Sequence, residues 1–242
     1  MKGIDVSRWQ GNISWLNVKA SGVEFVIIKA GGSDSGFYED PKFQENYAGA
    51  HAVGLPIGVY YFVGPKCVSY EDGVADAKRC INILKGRKLE LPIFIDVETT
   101  STEDKEGATK AVFGFYETVR AAGYKAGVYS SDIAGFKDRL DMSKLPKDID
   151  KWVAKYSSFK PTYATDYAIW QYSDRGTVSG ISGYVDLDEA DETYIKSHST
   201  AQASTTAGAI LQSAKSDDTE LINLALDIIE KLKELIEKCQ TQ

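Results

Sequence analysis

Short runs rich in β-branched and aromatic residues return eight times before residue 195, most of them separated by helical stretches, and no other feature constrains the fold as much. Strands are predicted over residues 3–6, 25–30, 57–63, 91–97, 124–129, 151–155, 167–172 and 184–187. Helices are predicted over 13–20, 40–53, 69–84, 103–122 and 132–140, with Gly22, Gly54, Gly86 and Gly123 as stops. Eight strands are enough to close a barrel. The helical pattern runs out after Leu140, so the expected α/β fold is an irregular, TIM-like (β/α) barrel with eight strands and an incomplete helix set. Its last strands would be joined by loops or hairpins. A doubly wound open sheet competes, but no GxGxxG follows the first strand.

Several runs carry acids where a buried strand has no ordinary use for them. Leu91-Pro92-Ile93-Phe94-Ile95 closes on Asp96, Val97 and Glu98. Side chains alternate along a strand, so Ile93, Ile95 and Val97 share one face and Phe94, Asp96 and Glu98 the other. Residues two apart lie roughly 6.5 Å apart at Cα, which lets two carboxyl groups push their pKa values apart. A neutral acid and an anion can then coexist near neutral pH. The structural alternative puts Glu98 in a loop and makes Asp96 a cap for the next helix. Asp5 lies between Ile4 and Val6, and Asp186 between Val185 and Leu187, in the same alternation. In a barrel the carboxyl ends of parallel strands converge on one mouth, so these acids meet there however distant in sequence.

The formal net charge of −7 and the lack of a basic stripe argue against nucleic acid as a partner. No run of about eighteen apolar residues could span a bilayer, so membrane insertion is not expected. Met1-Lys2-Gly3-Ile4-Asp5 opens no apolar stretch of signal-peptide length, which predicts synthesis in the (host) cytoplasm without a leader. Cys67, Cys80 and Cys239 form no CxxC pair, and only His51 and His198 are available. Neither a zinc site, a disulfide framework nor a Ser-His-acid triad is indicated, and no cofactor is expected.

Beyond a barrel over 1–196, residues 197–216 turn to Ser, Thr, Ala, Gln and Gly and read as a linker. In 217–242, Leu221, Ala225, Ile228, Leu232, Leu235 and Cys239 recur at alternating intervals of four and three, flanked by Ile222, Ile229 and Ile236. This amphipathic helix either docks on the barrel or joins copies of the chain into a homo-oligomer, and the heptad-like spacing favours the second.

Aromatics gather at the same strand ends as the acids: Tyr60, Tyr61, Phe62, Tyr129, Trp170 and Tyr172, with Trp9 after the first strand. Some must serve as packing. Aromatic faces also stack on sugar rings, while Tyr hydroxyls, Gln171 and Gln10 can bond to hydroxyl and acetamido groups. Acids and aromatics together, with no phosphate motif, point to glycoside cleavage, in which one carboxylic acid protonates the leaving oxygen and an anion stabilises the oxocarbenium-like centre.

The order of Gly3-Ile4-Asp5-Val6-Ser7-Arg8-Trp9-Gln10-Gly11, Phe25-Val26-Ile27-Ile28-Lys29-Ala30, Gly58-Val59-Tyr60-Tyr61-Phe62, Ile95-Asp96-Val97-Glu98, Gly127-Val128-Tyr129, Trp170-Gln171-Tyr172 and Val185-Asp186 resembles the glycoside hydrolase family 25 lysozymes. These are Chalaropsis-type muramidases, found in many phage endolysins, and the likeness covers about residues 1–195. It implies an irregular α/β barrel acting on peptidoglycan of the bacterial cell wall, cleaving with retention the β-1,4 bond between N-acetylmuramic acid and N-acetylglucosamine. Matched residue by residue, the resemblance implies Glu98 as proton donor and Asp96 as the anion, with Asp5 and Asp186 assisting. Tyr60, Tyr61, Phe62, Tyr129, Trp170 and Gln171 would then bind substrate. The intermediate is either an oxazolinium formed by the substrate's acetamido group or an ester on Asp96. Tyr61 replaces a His common in relatives, and Gly31-Gly32 replace a polar or acidic residue. The rival from another class is a catalytically silent carbohydrate-binding barrel on a helical oligomer.

Overall fold

The structure, a computed structural model, describes residues 1–199 together with Lys231. The expected linker from residue 200 onward, the helix over 217–242 and Cys239 lie outside the described residues. Among the described residues nine strands form one sheet: β1 (Lys2–Val6), β2 (Phe25–Gly32), β3 (Tyr38–Glu39), β4 (Ile57–Phe62), β5 (Ile93–Asp96), β6 (Ala126–Ser131), β7 (Asp150–Ala154), β8 (Ile169–Gly176) and β9 (Val185–Ala190). From β1 through β2, β4, β5, β6, β7 and β8 every pairing is parallel. β9 runs antiparallel to both β8 and β1 and so closes an eight-stranded barrel. The two-residue β3 hangs on the end of β2 and has no counterpart among the predicted strands.

Alternation along the strands builds two cores. Ile4, Val26, Ile28, Val59, Ile93, Ile95, Val128 and Val153 point outward and pack beneath the helices. Phe25, Ile27, Phe94, Tyr129, Trp152 and Ile169 fill the interior. Trp152 lies at its centre, with the rings of Tyr129, Phe94 and Tyr60 at 4.3, 5.5 and 5.9 Å. Large aromatics of this kind each bury ~150–250 Å², so the barrel is filled rather than hollow and its mouth has a solid floor. A helix over residues 192–199 sends Ile195 into the interior cluster and takes up the first three residues of the expected linker.

The outer helices are α1 (Trp15–Ala20), α2 (Phe43–Ala52), α3 (Tyr70–Leu84) and α4 (Lys105–Ala121). Ser69 caps α3, its hydroxyl accepting from the Asp72 amide at 3.1 Å. Helices α3 and α4 meet backbone to backbone: a Cβ at Gly73 would lie 1.9 Å from the Ala111 carbonyl oxygen, and one at Gly114 would lie 2.1 Å from that of Tyr70. Cys67 and Cys80 are buried free thiols. Where an α-helix was expected over 132–140, Asp132–Lys137 forms a π-helical turn. Its first residue turns away from the helix: the Asp132 carboxylate accepts from the amides of Thr162, Tyr163 and Ala164 at 2.8–3.0 Å and pins the loop between β7 and β8. No helix of the described residues is long and apolar enough to cross a membrane.

Candidate active site

Inward-facing positions at one end of the barrel supply a single cleft of about 220 Å³: Asp5 from β1, Lys29 from β2, Tyr60 and Phe62 from β4, Asp96 from β5, Tyr129 from β6, Trp152 from β7, Gln171 from β8 and Asp186 from β9. Glu98, Trp9 and Tyr156 complete its rim. Larger hollows of about 480 and 400 Å³ flank residues 33–39 outside the barrel, but they lack the convergent strand-end acids, so the chemistry lies in the smaller cleft. Because β9 is antiparallel, its beginning and not its end reaches the mouth. That places Asp186, its second residue, directly opposite Asp5 in the register.

Asp96 is 2% exposed, and its side chain is hydrogen-bonded to that of Glu98. Glu98 follows the end of β5 and opens to solvent at the rim. Burial pushes the Asp96 carboxyl well above the usual range, the Glu98 charge pushes it further, and Lys29 pulls it back. Glu98 is also raised by burial, against the pull of the Asp96 hydrogen bond, Lys29 and Arg139. Of the two, the deeper Asp96 is the more strongly raised, because the exposed Glu98 carboxylate keeps more of its hydration.

Asp5 is buried and its Oδ2 accepts from the Gln171 amide Nε2 at 2.7 Å. Gln171 Oε1 in turn accepts the hydroxyls of Tyr129 at 2.8 Å and Tyr156 at 3.1 Å. Burial, then the charge of Asp174, raises the half-buried Asp186 to about 6. The Lys29 ammonium lies 4.4 Å from the centre of the Phe62 ring and 5.7 Å from that of Tyr60, a cation over the aromatic wall facing the acids.

The cleft thus brings together Glu98, Asp96, Asp5, Asp186, Tyr60, Phe62, Tyr129 and Gln171. Tyr61 and Trp170 are not in it. Tyr61 is one residue out of phase with Tyr60 and Phe62, so it is fully buried on the helix side, its hydroxyl donating to the Gly32 carbonyl at 3.0 Å. Trp170 lies on the face of β8 opposite Gln171, its indole N–H donating to the Lys155 carbonyl at 3.0 Å and its ring 5.7 Å from Tyr172. Gln10 is spent on capping, accepting from the Ser7 amide at 2.9 Å. His51 stacks on Tyr47 along α2, and His198 contacts Tyr194 and Asp150, neither in the cleft. Lys29, Trp152 and Asp188 share the inward phase of their strands and were open to detection by alternation. Tyr156 belongs to a loop and carried no such signal. Among the described residues no cluster of His, Cys, Asp and Glu is placed to hold a metal ion.

The sequence profile described as Glycosyl hydrolases family 25 matches residues 4–181. The chain belongs to this family. It is similar to the autolytic lysozyme of Clostridium acetobutylicum, 35% identical over 192 residues that cover 79% of this chain and 56% of that protein. It is also similar to Lysozyme M1 of Streptomyces globisporus, 30% identical over 207 residues, covering 78% of this chain and 67% of the relative. The chain therefore spans little more than half of the first relative's length. Among solved structures, the CTP1L endolysin superposes with a TM-score of 0.71 at 26% identity over 82% of this chain and 69% of its own. The autolysin LytC of Streptococcus pneumoniae, in complex with a synthetic peptidoglycan ligand, gives 0.66 at 28% identity over 77% and 46%. The family 25 profile stops short of β9, so the positions of Asp186 and Asp188 rest on the barrel geometry.

Proposed function

We propose that this family 25 chain is an N-acetylmuramidase that cleaves the β-1,4 bond between N-acetylmuramic acid and N-acetylglucosamine in peptidoglycan with retention. The observation that carries this reading is the Asp96–Glu98 contact, one buried and one exposed carboxyl group hydrogen-bonded to each other at the mouth of an aromatic-walled cleft. Relatives named lysozymes and a structural neighbour holding a peptidoglycan ligand support it.

Substrate supplies what the free site lacks. The N–H of the 2-acetamido group donates to Asp96, favouring the anion there and the proton on Glu98. The acetamido oxygen attacks the anomeric carbon as the bond to the leaving sugar breaks, and Glu98 protonates the departing oxygen. The resulting oxazolinium is stabilised by the Asp96 charge. Glu98, now an anion, takes a proton from the water that opens the ring, which restores the acetamido group, returns the acid and inverts the centre a second time. Tyr60, Phe62 and Tyr129 hold the sugar faces, and Lys29 limits the charge of the acidic floor.

Incubating the protein with purified cell walls tests the reading, with new reducing ends and fragments of muramic acid at the reducing terminus as the expected products. Free amino groups would indicate an amidase or peptidase, and wall binding without new ends would indicate a silent binding barrel. The biological setting we propose is phage-driven host lysis as an endolysin, supported by the likeness to the CTP1L endolysin. Expression inside a bacterium with and without a membrane-permeabilising partner tests it, since lysis without the partner contradicts the setting. The heptad-like segment over 217–242 supports homo-oligomerisation, which light scattering of the full chain against one ending at Ser199 measures. Equal monomeric masses refute it.

A further inference from the structure

Asp188 takes no part in the reaction above, yet it is fully buried inside the barrel. Its Oδ1 accepts the Trp152 indole N–H at 2.8 Å, while its Oδ2 is enclosed with no protein donor. The group that it meets is the Asp5 side chain. The amide of Gln171 is fixed in orientation, because its Oε1 accepts two phenol hydroxyls and its Nε2 must then face Asp5. One Asp5 oxygen is thereby an acceptor, and its other oxygen faces the inward carboxyls of β9, where the register sets Asp186 opposite Asp5 and Asp188 two residues further on, opposite Gly3. Two enclosed carboxylates cannot rest against each other unpaired, so a proton lies between them.

We propose that Asp188 is a positioning residue of the active site, sharing one proton with Asp5 in a carboxyl–carboxylate contact clamped by Trp152 at one end and Gln171 at the other. Burial raises Asp5, and the charges of Asp188 and then Asp186 add to it; the Asp188 Oδ2 that lacks a donor is the acceptor this proton would fill. Neutral Asp5 then donates to Asp188 and lies beneath Asp186 without adding a second charge at the sugar-binding surface. The effect on turnover rests on the muramidase reading, whereas the shared proton does not.

Asp188→Asn tests it in the full chain, because Asn still accepts from Trp152 while its amide donates to Asp5 and removes the need for a proton. The contact gives the folded wild type one proton that folded D188N lacks above the ordinary carboxylate range, so the wild-type unfolding constant should rise tenfold per pH unit relative to that of D188N. Asp5→Asn should remove the same proton, and the double variant should lose one and not two. Parallel stability curves for wild type and D188N, or the loss of two protons in the double variant, overturn the proposal. If D188N does not fold, infrared spectroscopy decides. Loss of one carboxylic-acid C=O component at pH 7 on Asp5→Asn supports the proposal, and a spectrum that has no such component, or that Asp5→Asn leaves untouched, overturns it. On cell walls, D188N should lower kcat about tenfold with KM unchanged. A wild type that releases no reducing ends sinks the muramidase reading and leaves the proton count intact.

Discussion

Replacing Glu98 with Gln should cost activity and add stability at once. Gln cannot give a proton to a leaving oxygen, and general acid catalysis contributes ~10²–10⁴ in rate, so kcat should fall by that factor, about 3–5 kcal/mol of barrier. KM should change little, since the aromatic walls that hold the sugar are untouched. Stability moves the other way because Asp96, raised by burial and then by the Glu98 charge, opposes folding increasingly as pH rises from the ordinary carboxylate range toward its folded value. Unit charges at about 4 Å interact by ~4 kcal/mol at an effective dielectric constant of 20, and the solvent exposure of Glu98 discounts this to about 1 kcal/mol. For a chain of this size that is a rise in Tm of about 2–4 °C at pH 7, vanishing near pH 3 where Asp96 is protonated folded or unfolded. Reducing-end release and thermal melts over that pH range measure both effects. A loss below tenfold would mean that Glu98 is not the acid, and a fall in Tm at pH 7 would mean that the pair is not strained.

Tyr61→Phe should cost ~1–2 kcal/mol by leaving the buried Gly32 carbonyl without its donor, with kcat/KM on cell walls unchanged; a large loss of activity would return Tyr61 to the site. Lys29→Met removes a cation that holds down both Asp96 and Glu98, so the basic limb of the pH profile of kcat/KM should move to higher pH, and an unmoved limb would exclude Lys29 from the electrostatics. Burial works to raise Asp132, but bonds from Thr162, Ala164 and Tyr163 outweigh it and lower its carboxyl. The stability from this clamp is therefore present above the ordinary carboxylate range and lost as pH falls through the lowered value. Asp132→Ala should cost ~2–4 kcal/mol in chemical denaturation and flatten the acid side of the stability curve, and an unchanged acid side would mean that the clamp is not the titrating element.

Period-two alternation made most of the site legible before any coordinates. It put Asp5, Asp96 and Asp186 on inward faces, where the structure has them. The same rule, applied to every strand residue, excludes Tyr61 and Trp170 and admits Lys29 and Asp188. Tyr61 and Trp170 were named for aromatic character without regard to phase, and Lys29 and Asp188 were not singled out. Eight strands were recognisable because each pairs a β-branched outer face with a filled inner one, a pattern held by burial alone. The short β3 and the π-helical turn at Asp132 were not, since both depend on partners remote in sequence: β3 on the edge of β2, and Asp132 on the backbone of 162–164.

Strand direction was the main feature that spacing did not reveal, and it decides which acid of each pair does what. Asp96-Val97-Glu98 and Asp186-Leu187-Asp188 have the same two-residue step on an inward face. On parallel β5 the chain climbs toward the mouth, so the first acid is the deep one and the second meets solvent. On antiparallel β9 it descends, so Asp186 is shallow and Asp188 is enclosed. Depth sets the dielectric around each carboxyl, and in both pairs the enclosed member is the more strongly raised. One barrel thus acquires two deep, strongly raised carboxyl groups beneath two shallower acids that face the cleft. Reversing β9 would exchange the depths of Asp186 and Asp188 and leave Asp5 facing a charge at the wrong level.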